Sequence, residues 1–188
     1  MELRKATVAD IDRIMTILDD ARAFQRSMGF RQWEDGYPDR PTILADISTG
    51  NARVLIDTHE NETDTSRNSP RTEIPDKAPE ILGYCLLAVG DAAYDQLDHT
   101  WLCQGPYGVI HRFALATEAR GKKLATRFLD LIEQEYIRCG VLSLRVDTGA
   151  ANLIMRHLLL TRSYHSHGLL TFIWGPRLTF EKNLLPPP

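Results

Sequence analysis

An apolar, strand-forming run, Val109-Ile110-His111-Arg112-Phe113-Ala114-Leu115, is followed after a short gap by Arg120-Gly121-Lys122-Lys123-Leu124-Ala125, which opens a strong helical pattern. No other stretch constrains the fold of this chain as tightly. A strand that feeds a helix through a short turn leaves the first backbone N–H groups of the helix unpaired and aimed at one spot. The helix dipole makes that spot attractive to phosphate, and Lys122 and Lys123 add positive charge to it. The common phosphate loops do not explain it, because neither G-x-x-x-x-G-K-S/T nor G-x-G-x-x-G occurs in the chain.

Arg120 to Ala125 resembles the pyrophosphate loop of the GNAT superfamily of N-acetyltransferases, whose pattern is Q/R-x-x-G-x-G/A between a strand and a helix. Arg120 matches the first position and Ala125 the last, while Lys123 stands where the pattern has its internal glycine. Glycine there lets the backbone approach a ligand with no Cβ in the way. The surroundings extend the resemblance. Residues 110–115 are similar to the family's I-x-R-I/L-A-V strand, Asn152 follows the next strand at the family's spacing, and Arg162-Ser163-Tyr164 stands where K-x-G-F is usual. Residues 32–38 and 101–107 resemble a bacterial subgroup of small acetyltransferases.

Composition agrees with one soluble globular domain. The chain has 188 residues, with 43% hydrophobic and 25% charged residues, enough for a sizeable core. A net charge of −3 argues against a nucleic-acid surface. Cys85, Cys103 and Cys139 form no disulfide or metal pattern and suit a reducing compartment. With neither a signal-peptide core nor a membrane-length apolar run, a cytoplasmic protein is expected.

The pattern predicts strands at 3–5, 53–57, 81–89, 107–115, 141–147, 165–173 and 177–181. It predicts helices from 11 to about 28, at 40–47, at 120–138 and at 150–161, the first with Ile11, Ile14, Ile17, Leu18 and Ala21 on one face. Residues 58–80 are polar and carry Pro70, Pro75 and Pro79, so a mobile loop is expected there. Residues 90–106 read as an acidic, aromatic loop, and 183–188 as a loose proline-rich tail. The expected fold is α/β: a single acetyltransferase domain over 1–182, with a mixed, mostly antiparallel central sheet flanked by helices, as in GNAT proteins.

The resemblance implies acetyl-CoA as cofactor and an amine of a small molecule or a protein as acceptor, with no nucleic acid or membrane partner and a possible homodimer. It places Phe113, Ala114 and Leu115 along the pantetheine arm and Arg120, Gly121, Lys122, Lys123, Leu124 and Ala125 around the pyrophosphate. Asn152 either contacts coenzyme A or caps its helix, and the family analogy favours the ligand. Acetyl transfer needs a neutral amine, so a base helps. His111, on the strand where related enzymes place a catalytic His or Glu, is the candidate, against the alternative of a purely structural histidine. The family's usual acid, a tyrosine about seven positions after the Asn, is here Leu159. Tyr164 is the nearest substitute, with packing as its competing role. For the acceptor, Trp33, Glu34, Asp35, Tyr37, Tyr94, Asp95 and Trp101 offer carboxylates and aromatic faces to an arriving cation. His157, His165 and His167 lack partners at ligand spacing, and no metal is expected. Two other functions compete: a non-catalytic acyl-CoA-binding regulatory module, favoured by Lys123 and Leu159, and a nucleotide-binding protein using the same basic turn.

Overall fold

The computed structural model describes residues 1–29, 32–33, 36–58, 79–173 and 175–184. Most of the expected 58–80 loop and the 185–188 end of the expected tail lie outside the described residues. The strands are β1 (Glu2–Lys5), β2 (Ala52–Asp57), β3 (Glu80–Val89), β4 (Tyr107–Leu115), β5 (Ser143–Thr148), β6 (His165–Phe172) and β7 (Gly175–Asn183). The helices are α1 (Ile11–Ser27), α2 (Arg40–Ser48), the one-turn α3 (Ala92–Asp95), α4 (Leu124–Arg138) and α5 (Leu153–Thr161). The strands form one sheet in the order β1-β2-β3-β4-β5-β7-β6. Every neighbouring pair is antiparallel except β4 and β5. Those two run parallel because α4 carries the chain across between them, as a parallel connection requires.

The apolar spacing of α1 does what the sequence implies: Ile14, Ile17 and Leu18 are fully buried. Each such side chain contributes roughly 1.5–3 kcal/mol relative to exposure. On α4, Phe128, Leu129 and Ile132 are equally buried and join the same main core between helices and sheet. A Cβ on Gly108 would stand 2.5 Å from the Tyr136 ring, so only glycine lets α4 lie this close to β4. A second, smaller core gathers Tyr94, Trp101, Tyr107, Val109 and Phe172.

Several boundaries differ from the sequence reading. The helix expected from 120 starts at Leu124, because Gly121 (φ 74°) and Lys123 (φ 59°) are left-handed and cannot continue a right-handed helix. The loop expected over 90–106 contains α3, started by Asp91, whose side chain accepts a hydrogen bond from Ala93 N. The strand expected at 177–181 runs from Gly175 to Asn183 because both its edges are paired, to β5 and to β6.

β4 departs from a regular strand in one place that matters. His111 faces Leu86, yet Ala114 faces Tyr84. Three steps on β4 thus oppose two on β3, which is a β-bulge. Arg112, inside it, has φ 52°.

Candidate active site

β4 and β5 pair only over Tyr107–Val109 and Ser143–Arg145 and then part. A cleft of about 710 Å³ opens between them, lined by β4 residues Ile110 to Phe113, by Val146, Asp147 and Thr148 of β5, by Met155 of α5 and by Asn152, which precedes that helix. Beyond Val109, the edge of β4 that faces β5 has no strand partner, and its polar groups are available to an extended ligand.

His111 lines this cleft. Its Nε2 lies 3.0 Å from Asp91 Oδ2, and both side chains are about one-fifth exposed. Asp91 also accepts from Ala93 N at 2.8 Å, so the cap of α3 fixes the carboxylate that orients the imidazole. The His111 hydrogen bond holds the Asp91 carboxyl below the usual carboxylate range despite its partial burial. With Asp91 ionised, Nε2 carries the proton donated to it, and Nδ1 is left as the atom able to accept one. Sequence reasoning singled out His111 and missed Asp91. An Asp after a strand-ending glycine was a visible helix-start signal, but its pairing across 20 residues was not.

The opposite wall is polar. Arg177 of β7 donates from Nε to Asp147 Oδ2 at 2.6 Å, and Asp147 Oδ1 accepts from the Tyr94 hydroxyl at 3.0 Å. Gln25 of α1 and Gln32, Trp33 and Tyr37 complete the lining. Tyr37 is tied to the bulge: Arg112 grips the buried Asp46 of α2 through Nε (2.8 Å) and a second nitrogen, and donates to the Tyr37 hydroxyl. Tyr84 donates to the same carboxylate at 2.7 Å.

Of the expected acceptor residues, Trp33 and Tyr37 line the cleft, and Glu34 and Asp35 lie outside the described residues. Tyr94, Asp95 and Trp101 are not among its lining residues. Tyr94 is fully buried and reaches the site only through its hydroxyl on Asp147. Asp95 accepts from the Tyr107 hydroxyl behind the wall. Trp101 packs in the second core, where the Arg145 guanidinium lies 4.1 Å from its ring centre and 3.6 Å from that of Tyr107. A loop tryptophan read as pocket lining is instead the cover of a buried cation.

Tyr164 is corrected in the same way. It is 2% exposed within the main core, and burial pushes its hydroxyl far above the ordinary tyrosine range. It packs in that core and is not among the residues lining the cleft. Leu159 is likewise fully buried.

The expected cofactor residues divide into two groups. Phe113 and Asn152 line the cleft. Asn152 caps α5, accepting from Met155 N at 3.1 Å, and donates to Thr148 Oγ1 at 3.2 Å, so the cap is made whatever else Asn152 touches. Ala114 is buried and Leu115 half-buried on the unpaired edge of β4. Further along, α4 opens with no side-chain cap, and Gly121, Lys122 and Lys123 are exposed around its first turn, with Leu124 and Ala125 half-buried. Arg120 behaves otherwise: its guanidinium sits 4.5 Å over the Phe24 ring and 3.4 Å from the Leu115 carbonyl. Lys123, where the family pattern has glycine, is left-handed (φ 59°), at a backbone cost of about 1–2 kcal/mol.

The family model for the acetyltransferase (GNAT) family matches residues 31–163. No curated protein matches the chain. Among solved structures, a GNAT-family acetyltransferase from Streptococcus agalactiae is 29% identical with a TM-score of 0.78, the match covering 97% of this chain and 94% of that one. An aminoglycoside acetyltransferase, AAC(6')-Ib, solved with coenzyme A and kanamycin, is 14% identical with a TM-score of 0.65, covering 97% and 94%. A ribosomal-protein-alanine N-acetyltransferase from Brucella melitensis is 16% identical with a TM-score of 0.58, covering 97% and 99%. The last two share the fold. With its family match spanning most of the sequence, the chain belongs to the GNAT family of acetyltransferases.

Proposed function

We propose that the protein is a cytoplasmic, acetyl-CoA-dependent N-acetyltransferase in which an acceptor amine attacks the thioester directly. The observation that carries this reading is the His111–Asp91 pair in the cleft where β4 and β5 part. The chain's own residues fit the cofactor. The uncapped first turn of α4 with Lys122 and Lys123 suits the pyrophosphate, and the unpaired edge of β4 suits an extended pantetheine amide chain. When bound, acetyl-CoA supplies the activated acetyl group.

His111 removes a proton from the acceptor ammonium or from the attacking amine, through Nδ1 or a water. Asp91 holds the ring in one tautomer and stabilises the imidazolium that results. Tyr37 is the single tyrosine among the described lining residues, and its hydroxyl is engaged by Arg112. Protonation on the leaving side therefore falls to solvent.

Thermal melting tests the cofactor assignment. Coenzyme A should raise the melting temperature and ATP should not, because a ligand that binds only the native state stabilises it. Lys122→Ala combined with Lys123→Ala should reduce the shift by removing phosphate-facing charge. Equal stabilisation of the parent and this double variant by coenzyme A would remove the α4 assignment.

A further inference from the structure

The cleft lining holds two polar atoms that have no hydrogen-bond partner among the described residues. Gln25 lines the cleft and is 8% exposed, yet its side-chain oxygen has no hydrogen-bond partner. Gln32, which lines the same cleft, also has a buried, unpartnered side-chain oxygen. A carboxamide can present either its oxygen or its NH₂ by flipping, so each offers a ligand whichever half the ligand needs. Left unsatisfied, buried polar atoms cost free energy. Two such atoms in one concave site mark where a ligand's polar groups belong.

Arg177 points to the charge of that ligand. Its Nε is used on Asp147, while its terminal nitrogens make no hydrogen bond among the described residues. Nη1 lies 3.6 Å from where a Cβ on Gly149 would stand, and Gln32 Oε1 lies 3.9 Å from the same point. A guanidinium end and an orphan carboxamide thus converge on a corner that Gly149 leaves open. The described carboxylates of the cleft are committed: Asp91 to His111 and Ala93 N, and Asp147 to Arg177 and Tyr94. Arg112 is spent on Asp46 and Tyr37. Among the described residues lining the cleft, Arg177 is the cation with hydrogen-bonding capacity left for a ligand, and the two carboxylates, Asp91 and Asp147, already serve groups of the protein.

We infer that the acceptor is a small amine that also carries a carboxylate, an amino-acid-like molecule, with its carboxylate held by Arg177 and Gln32 beside Gly149 and its amine directed to His111. The inference rests on the proposed transferase reading. A guanidinium fork recognises a carboxylate by shape as well as charge. A polyamine would leave Arg177 opposed by like charge.

The test compares matched acceptors: common free amino acids, their methyl esters and their decarboxylated amines, each with acetyl-CoA and product detection by mass. The expected result is a kcat/KM for the acids about tenfold or more above that for their esters and amines, since a site built for a polar group rejects the analogue that lacks it. Arg177→Met should raise KM for the acids by a similar factor and so narrow the acid-over-ester preference, and Arg177→Lys should recover part of the loss. Should Arg177→Met fail to fold, the acid-over-ester preference of the parent protein decides alone. Equal use of esters, or a preference for polyamines, overturns this inference while leaving the transferase reading intact. Transfer to no amine at all overturns both.

Discussion

Lys123 is the residue where sequence and structure pull hardest against each other. The family pattern has glycine there, and this chain holds a lysine in the left-handed conformation, φ 59°. Gly121, two residues earlier, is left-handed as well. Lys123→Gly and Lys123→Ala both remove the charge, but only the glycine removes the Cβ penalty. Chemical denaturation should therefore find the glycine variant more stable than the alanine variant by about 1 kcal/mol. Equal stabilities would mean the turn is relaxed at position 123. His111 and Asp91 carry a second prediction. Asp91→Asn keeps the shape and removes the carboxylate that orients the imidazole, so it should lower kcat more than it raises KM for acetyl-CoA, because the ring loses the acceptor that fixes its tautomer. An unchanged kcat would detach Asp91 from the proposed base. The place of His111 in the cleft was legible because a histidine stood on a strand next to a recognisable loop. Asp91, Asp147 and Arg177 were not, because each reaches the site only through the pairing of strands distant in sequence.

At the scale of the element, α1 shows how local chemistry sets a helix. Its entry is held by Asp10, which accepts from Thr7 N at 2.7 Å and from two Arg4 nitrogens at 2.8 Å each. The Arg4 hydrogen bonds, joined by those of Thr7, outweigh burial and bring the Asp10 carboxyl down to about 2. A depressed folded-state value means the stabilisation is complete above the unfolded value of roughly 4 and is lost as pH falls through about 2. Arg4 is 30% exposed, so solvent screens the pair. Asp10→Asn should cost on the order of 1 kcal/mol at pH 7 and progressively less below pH 4. A cost that stays constant down to pH 2 would assign the effect to packing. The start of this helix and its buried face were legible from spacing alone. Trp101 and Tyr94 were misplaced for a general reason: aromatic residues in irregular segments look like pocket lining, and only tertiary packing shows that these close a second core over Arg145.

At the scale of the molecule, the alternation of elements announced a mixed sheet, and β4 matched its expected span of 107–115. The strand order did not follow from the sequence, nor did the point where β4 and β5 separate, and that separation makes the cleft. Pairing ends at Val109, two residues before His111, so the proposed base stands where the sheet opens. The bulge just beyond it holds Arg112, which bonds Asp46 and the Tyr37 hydroxyl and so ties Tyr37 at the cleft to the sheet. No helix among the described residues is long and apolar enough to cross a membrane. The central claim is that this architecture is a working acetyltransferase whose base is His111. Its most direct test is mass-detected acetyl transfer from acetyl-CoA to a panel of amines by the parent protein and by a folded His111→Ala variant, with coenzyme A binding measured on both. The parent should acetylate an amine, and the variant should bind coenzyme A equally but turn over about a hundredfold more slowly. Coenzyme A binding without transfer to any amine by the parent, or unaltered turnover by the variant, would contradict it.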